Sequence, residues 1–129
     1  MNNTKLCIES TSQFISENLF EFVPSQERLS FPIIKRLYLK MKIGIQFAPL
    51  KICDGIIIDG HHRYIAACLA EISCEFVPAQ SNSNLMGTKW QSVRIVTEDW
   101  DTAQIIQEMN ITDAKYNNIN LDTLNQLIE

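Results

Sequence analysis

The chain predicts an α/β (α+β) fold, a small mixed sheet with flanking helices, and three observations predict it. Strand-like and helix-like stretches alternate along the sequence, the pattern of a layered domain. In "LKICDGIIID", an Asp-Gly pair lies between two apolar runs, a strong hairpin signal. "IIID" is apolar without alternation, as in a strand buried on both faces. It runs straight into the alanine-rich "HHRYIAACLAEI", a helical pattern.

The elements follow in order. "TSQFISENLF" reads as a short helix capped by Thr11 or Ser12. "LFEFV" over 19–23 alternates like a strand, and Pro24 stops it. "SFPIIKRLYLKMKIG" is a helix with Ser30 as N-cap, Pro32 in the first turn and Gly44 as its stop. Ile33, Ile34, Leu37 and Met41 share one face. Lys35, Arg36, Lys40 and Lys42 fall elsewhere, as a solvated face or a local phosphate or nucleic-acid contact. "FAPLKI" and "IIID" are strands joined by the "CDG" turn, and "CEFVPAQ" is another strand ending near Pro78. Residues 81–88 read as a polar, mobile loop. "WQSVRIVT" alternates as a strand, with Val93 and Ile95 on one face. "EDWDTAQIIQEMN" is a helix with acidic residues in its first turn. "NLDTLNQLIE" is a last short helix capped by Asn120.

The chain's 129 residues suit a single domain over 1–129, long enough to bury roughly two-thirds of its unfolded surface. Apolar residues make up 46% and charged residues 20%, a globular balance. The net charge of −4 argues against broad binding to nucleic acid or anionic membrane, while a local basic patch stays allowed. Cys7, Cys53, Cys68 and Cys74 form no CxxC pair or zinc-like spacing. Each has apolar neighbours, so reduced core thiols are expected. "MNNTKLCIES" has no apolar h-region, and no run approaches the ~20 apolar residues of a membrane span. A cytoplasmic, reducing location without a membrane partner is the resulting expectation.

"DGHHR", Asp59 to Arg63, carries the chemistry. A helix starting after a strand leaves its first backbone N–H groups without internal partners, and these make an anion site. Gly60 lets a ligand approach the backbone closely. Arg63 can add a bidentate contact to phosphate oxygens. His61 and His62 can donate hydrogen bonds or titrate near neutral pH. Asp59 can hold a divalent metal, orient a histidine or cap the helix. Adjacent histidines do not share a helix face, so zinc binding through the pair is disfavoured.

"PLKICDGIIIDGHHRYIAACLA" resembles the core of the ParB/sulfiredoxin superfamily. Pro49 to Ile52 matches that family's first "PI-V" strand, Gly60 to Arg63 its phosphate-binding box, and Pro24 to Arg28 its N-terminal polar motif. The likeness covers about 19–80, leaving the C-terminal strand and helices over 88–129 unmatched. His61 stands where sulfiredoxins carry the cysteine of a G-C-H-R box, which removes their thiolate nucleophile. The G-E-R-R box and downstream helix-turn-helix of chromosome-segregation members are absent. The DGHHR spelling is similar to the free-serine-kinase-like members. That resemblance implies a small kinase or nucleotide hydrolase binding ATP, ADP or CTP with Mg²⁺. Gly60, His61, His62 and Arg63 would bind phosphates, with Asp59 as metal ligand. Glu27, Asp59, His61 and His62 would be the catalytic groups, Glu27 as the base.

Two other functions stay open. One is a nuclease acting on DNA or RNA through the basic residues between Lys35 and Lys42. The other is a non-catalytic nucleotide sensor or protein-interaction module, with Trp90, Trp100 and Tyr116 at an interface.

Overall fold

Asp54 and Gly55 make the expected hairpin. Their φ angles of 51° and 79° are the left-handed pair that a tight two-residue turn requires. The turn joins β2 (Leu50–Cys53) to β3 (Ile56–Asp59), which run antiparallel. The structure is a computed structural model and describes residues 6–80 and 85–128. The α3 helix (His61–Ala70) carries the chain from β3 to β4 (Phe76–Pro78), which lies parallel to β2. The sheet order is therefore β3-β2-β4. A separate two-stranded parallel sheet pairs β1 (Arg28–Ser30) with β5 (Arg94–Val96). The mixed α/β architecture with flanking helices stands as expected.

The α2 helix (Phe31–Lys42) begins with Pro32 in its first turn and packs along α3. Ile34 and Met41 are buried in the main core with Ile15, Leu29, Leu50, Ile57 and Ile65. Each fully buried Ile or Leu there contributes roughly 1.5–3 kcal/mol over exposure. A second cluster joins Ile45 to Ala114 and Leu124. These belong to α4 (Ala103–Tyr116) and α5 (Leu121–Leu127), the latter capped by the Asn120 side chain as expected. Among the described residues no helix is long and apolar enough to cross a membrane.

Several expectations are corrected. The α1 helix (Ile8–Glu17) starts earlier than expected, because Cys7 and Ser10 cap it reciprocally. Thr11 is instead buried inside it. Within 19–23 only Val23 pairs with a strand, bridging to Ile56. The backbone before it is satisfied by side chains: the Tyr64 hydroxyl accepts from the Glu21 and Phe22 amides at 3.1 and 3.3 Å, and the Trp90 indole donates to the Phe22 carbonyl at 2.8 Å.

Trp90–Ser92 forms a 3-10 turn, which shortens the following strand to β5. The stretch 98–101 is not helical, because its carbonyl and carboxylates are drawn to Ser30 and Arg36. Thr102 caps α4 instead, and no acidic residue sits in its first turn. Of β3, Ile57 is fully buried while Ile56 and Ile58 are half-buried. Of the cysteines, Cys7 is exposed and Cys53, Cys68 and Cys74 are half-buried. Residues 81–84 of the expected loop lie outside the described residues, and 85–89 form neither helix nor strand.

Candidate functional site

The end of β3 delivers the chain to the mouth of a cleft of about 330 Å³. Gly60 turns there with φ +105°. A Cβ at this position would lie 2.5 Å from Leu50 Cδ2 and 2.9 Å from Arg63 Nη2. Only glycine fits, and the Arg63 guanidinium lies folded back against it. The Tyr64 amide takes the Gly60 carbonyl at 2.8 Å. No described residue accepts from the amides of His61, His62 or Arg63. Those three residues line the cleft at the positive end of the α3 dipole.

Arg63 is loosely held. One nitrogen lies 3.5 Å from both the Asp59 carboxylate and the Pro49 carbonyl, at the outer limit of a hydrogen bond. Its Nε is buried and has no partner. A charged donor in that state is costly unless an acceptor meets it. Asp59 itself is largely exposed.

The two histidines do different work from that expected. The His61 Nε2 accepts from the Ser25 amide at 2.9 Å, and the His62 Nε2 accepts from the Ser30 amide at 3.0 Å. The Ser25 hydroxyl in turn donates to the Ile57 carbonyl at 2.6 Å. Accepting through Nε2 fixes the proton on Nδ1 of each ring. Burial pushes both imidazoles down to about 4, with His61 adding repulsion at His62. The expectation of titration near neutral pH is corrected: both rings are neutral there and pin the two ends of the 25–30 segment to α3.

That segment does not bring Glu27 into the cleft. Glu27 lines a neighbouring open groove with Arg28, Arg94 and Trp100, while Gln26 lines both. The opposite wall comes from the C-terminal third, where Ile106, Met109 and Asp113 of α4 face Ile33, Leu37 and Lys40 of α2. Arg36 grips Asp99 at 2.6 and 2.9 Å and Asp101 at 3.0 Å. Lys40 is buried, against expectation, and pairs with Asp113 at 2.7 Å. Two of the four basic residues of α2 are thus matched inside the protein. Nothing local in the sequence pairs residues 63 to 73 positions apart, and so the α4 wall was not foreseen.

Among the described residues no group of three or more His, Cys, Asp or Glu side chains is placed to hold a metal ion. Mg²⁺ often needs only one or two carboxylates when phosphates supply the other oxygens, and Asp59 lines the cleft next to Gly60. Comparison of the chain with protein-family models, curated proteins and solved structures finds no match.

Proposed function

We propose that the cleft binds a phosphate-bearing small molecule, a nucleotide such as ATP, ADP or CTP in the reading that the ParB/sulfiredoxin resemblance favours. One observation carries this: among the cleft's lining residues Gly60 to Arg63, three α3 amides lack a partner among the described residues, the Arg63 Nε is buried and unpaired, and the glycine admits no side chain. Such a set matches an anion with several acceptor oxygens. The remaining wall, with Ile33, Leu37, Ile106 and Met109, suits an apolar or planar portion of the same ligand. Asp59 would share a Mg²⁺ with the phosphates.

For phosphoryl transfer or hydrolysis, the amides and Arg63 would stabilise charge on the transferred group. Asp59 is the carboxylate beside them. A second reading, a non-catalytic nucleotide sensor, gains from the histidines. Both are neutral and committed to the 25–30 segment, and Glu27 lines another groove.

Calorimetric titration with ATP, ADP and CTP, with and without Mg²⁺, tests the binding. Arg63→Ala should weaken it at least about tenfold, the worth of a hydrogen bond to a charged group. Equal affinity in both proteins would defeat the proposal. Release of phosphate by the wild type and its loss in Asp59→Asn would select the enzyme over the sensor.

A further inference from the structure

The short parallel sheet sets two arginines side by side. Arg28 and Arg94 are register partners across β1 and β5, and both are exposed. Their neighbours Leu29 and Ile95 turn into the main core, so the two arginines stand on the other face. Like charges directly across a sheet repel. The cleft cations Arg36, Lys40 and Arg63 each have an aspartate within ion-pair distance. Among the described residues, Arg28 and Arg94 have none.

The pair lines an open groove with Trp100, Leu85, Met86 and Glu27. Among the described residues that line the groove, Glu27 is the one carboxylate against two guanidinium groups, on a chain of net charge −4. Trp100 is 41% exposed and Met86 78% exposed. The Trp100 ring packs edge-to-face on His62 at 5.4 Å, which fixes the indole while leaving much of it open.

We propose that this groove binds single-stranded nucleic acid. Arg28 and Arg94 contact neighbouring phosphates, which relieves their mutual repulsion. Trp100 takes a base by stacking, a contact that every base can make and that a paired duplex withholds. A lone phosphate, as on a phosphopeptide, would satisfy the arginines but leave Trp100 and Met86 uncovered. The groove adjoins the cleft at Gln26, and its reading does not depend on a nucleotide in the cleft.

Fluorescence anisotropy with labelled dT12 and rU12, against a duplex of equal length, tests it on the full chain. Wild type should bind one or both single strands more tightly than the duplex at low salt. The preferred strand tells DNA from RNA. Arg28→Gln with Arg94→Gln should weaken binding at least tenfold and lower the salt slope by about 1.4, two contacts at about 0.7 each. Trp100→Ala should weaken it about fivefold or more, the worth of one stacked base. Lys115→Ala, an exposed cation of α4, controls for lost charge and should stay within twofold. Circular dichroism establishes that each variant is folded. Failure of both strands to bind, equal binding by the double arginine variant, or capture of a phosphopeptide in preference to either strand would overturn the proposal.

Discussion

The two walls of the cleft are built on opposite principles. The α3 wall is welded into the core: six of its ten residues are buried, from His61 to Ala70. The α4 wall buries one residue of fourteen, Ala114. It is held by the pair of Lys40 and Asp113, by reciprocal hydrogen bonds between Asn117 and the Gln46 backbone, and by the small cluster around Ile45 and Leu124. Ile105, Met109 and Tyr116 of α4 remain exposed. Apolar burial places the α3 wall near the global stability, and polar contacts leave the α4 wall nearer the low end.

Paired truncations should break this contrast if it is false. Ile65→Ala on α3, at a fully buried site, should cost about 3–4 kcal/mol in urea unfolding. Ile106→Ala on α4, half-buried at the cleft, should cost under about 1 kcal/mol. Comparable losses would show that α4 is as deeply integrated as α3.

The buried lysine gives the next effect. Lys40→Met leaves Asp113 without its ion-pair partner, at a cost of about 2–3 kcal/mol. Adding Asp113→Leu removes the stranded carboxylate and should restore most of that stability. A double variant no better than the single one would mean that Lys40 matters for its stem and not for its charge.

Acid sharpens the contrast from the other side, since both histidines belong to α3. Their folded values near 4 lie below the ordinary 6.5. Between those limits the unfolded chain binds more protons than the folded one, so stability falls as pH drops from about 6.5 to 4 and levels off below. A loss of about 2 kcal/mol over that window is expected, less than the full 1.4 kcal/mol per unit for each ring because both line the cleft. Replacing both by Gln, which can still accept from Ser25 and Ser30, should flatten the profile. An unchanged profile would assign the acid sensitivity to other groups.

How much of this was legible follows from the range of each signal. The Asp-Gly hairpin, the α3 start at DGHHR and the Asn120 cap are set by residues within a few positions, and the sequence showed them. The glycine turn that opens α3 at Gly60 is likewise local. The histidine roles were not readable, because they depend on amides 32 and 36 positions upstream. The placement of Glu27 beside Arg94, and of Asp99, Asp101 and Asp113 against α2, rests on the same kind of distant pairing. A basic helix face looks solvated from its own periodicity until the chain that covers it is in place.

The smallest effect tests the link between α2 and the chain entering α4, where Arg36 meets Asp99 and Asp101. The guanidinium, by hydrogen bond first and charge second, holds the Asp99 carboxyl below the usual range. The partners are a quarter to a third exposed, so solvent and salt screen the attraction. Asp99→Asn should therefore cost only about 0.5 kcal/mol, yet its consequence should be local. Amide hydrogen exchange in α4 should speed up in Asp99→Asn, and in wild type at about 1 M salt where screening reaches ~3 Å, while α3 amides keep their protection. Equal acceleration in both helices would mean that the walls open together, and that the ion pairs add nothing to α4 beyond what the common core already supplies.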